Sequence, residues 1–390
     1  MNRLFIVDEA IDKMGGVERI INTLANDLSK YTEVNVISLY RTRDKEFFNY
    51  KKNINITYIY DARNKIIFNN KKNKILRKIC MLLSNIKIFI KLKKMNKIIK
   101  KNDRIIIARV RVAWKYVDMF KRSDYVYVRD AIHLFNCKFY EKFFMKLKFP
   151  KYVKIFIVSS DESLKTYDNF FNNKLKMEKI YNPLSIKPKN VYNPENKVIM
   201  AIGRDDFQKG YNVLIDSFQI INKSSKDWKL EIVGFTNNIN LIKKIKSLGL
   251  QNSITLSPPT HDVIKKLSTA GIFVMTSRYE GYANALVESL SCGIPSVSFN
   301  WYMGVDEIIK SQDNGIIVRL KNRKDYFEGK DSDYNSRKLA SSIIELIKDT
   351  RKRMSISKKA HEIIETRNEK VILKKWIQIL ELDKEVEYER

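Results

Sequence analysis

The chain reads as an α/β protein built of two doubly wound parallel-sheet units. Three observations predict this. Short apolar runs of buried-strand type alternate with stretches of helical spacing along most of the length. The texture breaks once, at Tyr181-Asn182-Pro183-Leu184 followed by Pro188 and Pro194, a proline density that disfavours regular helix and marks a linker. At 390 residues the chain is also too long for one ordinary domain and comfortable for two. The expected division is a first unit over 1–184, a linker over 185–196, a second unit over 197–355 and a helical tail over 356–390.

The first unit opens on a strand, Leu4-Phe5-Ile6-Val7, then a Gly15-Gly16 turn. A helix follows, on which Val17, Ile20, Ile21, Leu24 and Leu28 share one face. Val34 to Leu39 is the next strand, and Arg104 to Ala108, Tyr125 to Val128 and Val153 to Val158 continue the series. In the second unit the alternation is regular. Strands at Lys197–Ile202, Lys229–Val233, Ser253–Leu256, Ile272–Thr276 and Ser296–Phe299 are separated by helices at Tyr211–Ile221, Ile239–Leu248, His261–Ser268 and Ala283–Ser291. The tail from Ser336 is helical and charged, with Trp376 and Leu380 as apolar anchors.

Composition narrows the classes. An apolar fraction of 44% with 11% aromatics supports packed cores. Cys80, Cys137 and Cys292 are scattered without a C-x-x-C pair, which argues against a disulfide framework or zinc site and for a reduced compartment. The start, MNRLFIVDEA, carries Asp8 and Glu9 and lacks the long apolar core of a signal peptide. No run approaches the roughly 18 apolar residues of a spanning helix. The expected location is the cytoplasm, peripheral on the inner face of the membrane.

The net charge of +30 is uneven. Residues 1–190 hold 42 Lys and Arg against 18 Asp and Glu, and residues 51–100 hold 15 against 1. A coding bias toward Lys, Asn and Ile would spread charge evenly, so the asymmetry points to a polyanionic partner for the first half. Lys74 to Lys101 reads as a helix with an apolar stripe (Ile75, Ile79, Leu82, Leu83, Ile86, Ile90) and a basic one (Lys87, Lys91, Lys94, Lys97, Lys101). Such a helix lies on anionic lipid, or packs its apolar stripe on the sheet and leaves its lysines in water. Phe135, Phe139, Tyr140, Phe143, Phe144 and Phe149, interleaved with lysines, form a candidate second contact patch.

The chemistry concentrates in two loops. Gly203-Arg204-Asp205-Asp206-Phe207-Gln208-Lys209-Gly210 lies after a strand and before a helix, where open α/β sheets bind ligands. Arg204 offers a fork for phosphate and Lys209 a mobile point charge, though alone they also fit two solvated bases in a loop. The spacing is not that of a Walker A loop. The stretch SRYEGYANALVESLSCGIPSVSF sets Glu280 and Glu288 eight residues apart across a Gly281-containing loop and a helix start. Carboxylates accept sugar hydroxyls there, and helix N-termini take phosphate, but the macrodipole favours acids at such a place in any case.

Together, G-R-x4-K-G and E-x7-E resemble the donor-site signature of the family 4 (group 1) retaining glycosyltransferases of the GT-B fold, capsular and surface polysaccharide type. The resemblance is firm over about 197–320 and weaker toward the N-terminus. It implies two Rossmann-like domains facing a cleft, with a C-terminal helix returning to the first. It implies that Arg204 and Lys209 bind the nucleotide diphosphate, that Glu288 bonds the ribose and that Glu280 contacts the donor sugar. Gly281, Tyr282, Asn284, Ala285 and Leu286 would line the donor, with Gly281 allowing close backbone approach. Tyr282-Ala283 stands where the family commonly has Phe-Gly or Phe-Pro, which leaves the sugar open. Gly15-Gly16, followed by Glu18 and Arg19, resembles the family's N-terminal glycine loop. His133 takes the place of a histidine near the donor sugar, with Asp130 a rival for that role. Glu280, His133, Arg204 and Lys209 are the expected catalytic set.

The resemblance implies transfer of a sugar, a UDP-sugar by family expectation, to a saccharide or polyprenyl-diphosphate-linked acceptor. No cofactor and no metal are expected, the basic pair replacing the metal of other folds. Asp331-Ser332-Asp333 is read as a coincidental D-x-D, and His361 as an exposed helix position. Two other readings compete: a sugar epimerase or phosphorylase on the same fold, and a nucleic-acid-binding protein argued from charge alone. The latter lacks any recognisable binding signature, so no nucleic-acid partner is expected.

Overall fold

Arg3–Asp8 (β1) is apolar on both faces, as a strand covered by helices on either side must be. A computed structural model describes residues 2–63, 74–130, 134–184, 186–187, 189–301 and 304–382. The chain divides into two units, Met1–Ser185 with Glu369–Arg390, and Ile186–Asn368.

In the first unit β1 is followed by helix α1 (Gly16–Leu28), β2 (Glu33–Arg41), β3 (Asn55–Asp61), α2 (Lys74–Asn96), β4 (Arg104–Ile107), α3 (Val110–Tyr116), β5 (Tyr125–Arg129), α4 (Phe139–Tyr152), β6 (Ile155–Val158), α5 (Asp161–Phe171) and β7 (Met177–Lys179). The strands form one sheet in the order β3-β2-β1-β4-β5-β6-β7, with every neighbouring pair parallel. β3 is an edge strand whose Asn and Asp ends gave little strand signal.

The second unit runs β8 (Val198–Ile202), α6 (Tyr211–Ser224), β9 (Lys229–Val233), α7 (Ile239–Ser247), β10 (Ile254–Ser257), α8 (Val263–Leu267), β11 (Ile272–Met275), α9 (Asn284–Ser291), β12 (Ser296–Phe299), β13 (Ile316–Val318), α10 (Arg323–Phe327), α11 (Asp333–Lys348), α12 (Thr350–His361) and α13 (Ile364–Arg367). Its sheet order is β10-β9-β8-β11-β12-β13, again all parallel. The helical tail divides later than position 356. Ile356 is buried in the second unit's core, and Arg353 donates to the carbonyls of Leu346 and Pro194 there. The expected linker likewise belongs to this unit from Ile186 on, with Val191 N–H donating to Cys292 O at 3.1 Å.

The return to the first unit is α14 (Glu369–Leu380). Ile372, Trp376 and Leu380 join one buried cluster with Leu4, Ile6 and Tyr127. Arg104 Nε donates to Leu380 O at 2.8 Å and Tyr127 Oη to Ile379 O at 3.0 Å.

α2 ends at Asn96 and buries Ser84, Ile88 and Leu92, leaving Ile75, Ile79, Leu82, Leu83, Ile86 and Ile90 exposed. The helix is apolar nearly all round, so periodicity could not choose its inner face. Lys91 is also not a free surface charge, because its Nζ donates to Ile59 O at 2.6 Å. Phe149 leaves the candidate contact patch: it is fully buried and stacks on Phe171 at 5.8 Å, the anchor by which α4 holds the sheet.

Candidate active site

Each sheet has one topological switch point, where strand order reverses and a crevice opens beyond the strand ends. In the second unit it lies between β8 and β11. The loop after β8 is 203–210 and the loop after β11 is 276–283, so topology alone brings the two motifs together. Lys209 Nζ donates to Glu280 Oε1 at 2.7 Å, and Ser277 Oγ donates to the same oxygen at 2.6 Å. Gln208 Nε2 donates to Tyr279 O at 2.9 Å and to Glu280 Oε2 at 3.2 Å. Lys209 and Glu280 keep 14% and 8% of their side chains exposed. Arg204 reaches outward, 66% exposed, with its guanidinium 3.3 Å from Asp206.

Gly210 makes the loop possible. Its φ is +63°, and a Cβ would overlap Thr276 O and Tyr326 Oη. Thr276 Oγ1 donates to Lys209 O at 2.9 Å and Tyr326 Oη to Thr276 O at 2.6 Å. Arg278, nearly fully buried, lies between the Phe207 and Tyr326 rings at 4.6 Å from each and ion-pairs with Asp331 at 2.7 Å. Its backbone N–H donates to Gln208 O at 2.7 Å. Gln208, Arg278 and Tyr326 escaped the sequence reading because their partners stand about 50 to 70 positions away, and Ser277, three residues before Glu280, because a lone serine carries no signal of its own. The D-x-D residues serve the same scaffold: Asp331 holds Arg278, Ser332 caps α11, and Asp333 pairs with Arg337.

Glu288 lies in the second turn of α9 and is buried. Leu286 is a core side chain. The N–H groups of Asn284, Leu286 and Val287 bond back to the carbonyls of Tyr282 and Ala283, so this turn is closed on itself at those three donors. Gly281, Asn284 and Ala285 are half-buried. Tyr282 Oη accepts from Arg367 Nε at 3.1 Å, and Arg367 Nη2 donates to Glu307 O at 3.2 Å, which props the loop from α13. His361 is half-buried rather than exposed, with Nδ1 2.6 Å from Ser291 O at the end of α9.

In the first unit the switch point lies between β1 and β4. Gly15 is the N-cap of α1, and Arg19 N–H donates to its carbonyl at 3.0 Å. A Cβ on Gly15 would overlap the Glu18 carboxylate. Arg109, just past β4, donates to Asp8 at 2.7 Å and also to Glu18. Burial pushes the Glu18 carboxyl up, with Arg109 opposing. Burial also works against the Arg109 charge, but Asp8 and Glu18 more than offset it. Asp130 points inward: burial pushes its carboxyl up to about 8, against hydrogen bonds from Ser163 and Ser159. Beside it Arg129 donates to Asn182 at 2.6 Å. His133 lies outside the described residues.

Residues 184–363 match the sequence model of the family described as glycosyl transferases group 1. Among curated proteins, the chain is 30% identical to the amylovoran biosynthesis glycosyltransferase AmsD of Erwinia amylovora over 47% of each chain. It is 27% identical to the N-acetylgalactosamine-N,N'-diacetylbacillosaminyl-diphospho-undecaprenol 4-alpha-N-acetylgalactosaminyltransferase of Campylobacter jejuni, over 48% of this chain and 52% of that one. The chain spans about half the length of these curated relatives. Among solved structures, the pneumococcal O-GlcNAc transferase GtfA in complex with UDP and GlcNAc superposes with a TM-score of 0.76 at 12% identity, over 97% of this chain and 98% of that one, a likeness of fold. The match spans almost the whole second unit, and it contains every residue of the Lys209–Glu280 cluster. The likeness to the group 1 glycosyl transferases is thus carried by the second unit, and the likeness of the two-sheet fold by nearly the whole chain.

Proposed function

We propose that this protein is a retaining glycosyltransferase that moves a sugar from a nucleotide diphosphate sugar, a UDP-sugar, to a saccharide or lipid-linked saccharide in surface polysaccharide synthesis. The observation that carries the reading is the Lys209–Glu280 pair at the switch point, with Arg204 largely exposed on the same loop and held only at its surface by Asp206. A diphosphate arriving there exchanges one carboxylate partner of Lys209 for several phosphate oxygens. Glu280 is then left to accept sugar hydroxyls. Arg204 and Lys209 stabilise the charge that develops as the bond from the anomeric carbon to the diphosphate breaks. The acceptor oxygen bonds to that carbon from the leaving-group face, and its proton passes to the departing diphosphate. Glu280, bonded by both Lys209 and Ser277, is held as a hydrogen-bond acceptor rather than released as a nucleophile. Two cations supply the charge, so activity should survive a chelator.

UDP in the pneumococcal neighbour supports the donor class. The amylovoran and undecaprenol-diphosphate relatives support the acceptor class. An acceptor of that kind lives at the inner face of the membrane. Among the described residues no helix is long and apolar enough to cross one. The exposed apolar and basic faces of α2 and α4 fit peripheral attachment to anionic lipid instead.

The test is a thermal-shift series of nucleotide diphosphate sugars and nucleic acid on wild type, Lys209→Ala and Glu288→Ala. A donor at a hundred times its Kd stabilises by about 2.7 kcal/mol. Stabilisation by one UDP-sugar, lost in both variants, supports the reading. A shift with nucleic acid alone would remove it.

A further inference from the structure

α2, α3 and α4 converge on one groove of about 420 Å³, lined by Ile86, Phe89, Trp114 and Phe144 with Lys115 and Lys148. That volume falls within the range of small-molecule sites. The walls are rigid aromatic surface. Trp114 stacks on Phe144 at 5.7 Å and meets Tyr140 edge-on at 5.6 Å. Lysine heads sit over these rings, Lys115 at 5.4 Å from Trp114 and Lys148 at 5.8 Å from Phe144. The indole N–H of Trp114 is buried with no hydrogen-bond partner among the described residues. A buried donor without an acceptor is destabilising.

The groove opens onto an apolar surface of unusual extent. Met81, Leu82, Leu83 and Ile90 of α2 and Phe139, Phe143 and Leu147 of α4 are all exposed. Charge says what covers it. α2 carries seven basic residues and no acid, and α4 carries four lysines against one glutamate that is buried. Apolar residues rimmed by lysine and aromatic rings are the composition of a membrane interface, where stems lie along hydrocarbon and heads stay at phosphate level.

Resting on the membrane attachment proposed above, we infer that the α2–α3–α4 groove takes one acyl chain of an anionic glycerophospholipid. Ile86, Phe89 and Phe144 hold the chain. Lys115 meets the headgroup phosphate, with Lys148 beside it exchanging its present partner Asp118, at 3.1 Å, for a phosphate oxygen, and an ester carbonyl gives the Trp114 N–H the acceptor it lacks. This last contact favours an acyl lipid over an isoprenoid chain, which has no carbonyl.

Three measurements separate the groove from the membrane reading. The first is flotation with vesicles of phosphatidylcholine with and without phosphatidylglycerol; binding is expected only with the anionic lipid. The second is tryptophan quenching by phosphatidylglycerol brominated on its acyl chains. Trp228, Trp301 and Trp376 are buried, so the quench should vanish in Trp114→Phe while flotation persists. The third is a thermal shift with monomeric lysophosphatidylglycerol, which offers a chain without a bilayer. It should stabilise wild type and not Phe89→Asp, a change at an exposed position. Flotation with neither quench nor lyso-lipid shift overturns the groove and leaves the membrane reading standing. Failure to float, with self-association in sedimentation, overturns both and gives the face to a second copy of the chain.

Discussion

The two switch points are built alike and finished differently. Each places a glycine loop after one strand and a basic residue where the strand order reverses. In the second unit, Lys209 has one carboxylate partner that it shares with Ser277 and Gln208, and Arg204 has an exposed pair with Asp206. In the first, Arg109 is locked between two buried carboxylates, Asp8 and Glu18. One cation can be taken over by an incoming phosphate, whereas the other already has more negative charge than it can neutralise. The same crevice thus holds an exchangeable ion pair in one unit and a brace beneath a glycine loop in the other.

The largest expected effect breaks the brace. Arg109→Met leaves Asp8 and Glu18 buried without a counter-charge and should cost about 3–5 kcal/mol of stability, read by denaturant unfolding. A variant as stable as wild type would put Arg109 on the open side of the comparison. Lys209→Ala should cost less stability than Arg109→Met, because Ser277 and Gln208 still bond Glu280, and lower kcat roughly 100- to 1,000-fold, measured as sugar transfer at saturating donor. If it unfolds the protein instead, the pair is structural in both units. Gly210→Ala, which forces a Cβ into Thr276 O and Tyr326 Oη at positive φ, should cost about 1–3 kcal/mol and weaken donor binding with it.

The smallest effect concerns pH. Asp27, at the end of α1, has its carboxyl pushed up to about 7 by burial and by Glu369 at the start of α14. The folded state then holds a proton that the unfolded state releases near pH 4. Stability from this pair is therefore present at low pH and is lost as pH rises toward 7. Melting temperatures across pH 4.5–7.5 should fall less steeply in Asp27→Asn than in wild type.

The sequence disclosed the second unit nearly strand by strand, because its apolar runs and helical spacings alternate cleanly. It disclosed Arg204, Lys209, Glu280 and Glu288 because their spacing is itself the signal. It did not disclose Gln208 or Arg278, whose work is to tie one loop to another across some 70 positions, a relation no local pattern records. β3 was missed because an edge strand with polar ends has weak alternation. The inner face of α2 stays open in the sequence for the opposite reason, an excess of apolar residues on more than one side.

The return of the chain at Glu369 sets an order of events during synthesis. Leu4 and Ile6 wait for Ile372 and Trp376 to cover them, and the whole second unit is translated in between. At ribosomal speed that interval is roughly 10–40 s. The nascent first unit therefore spends it with a hydrophobic seam open, a natural substrate for chaperones. A stop codon before Glu369 would leave that seam open for good and send the product to proteolysis even though its second unit had folded.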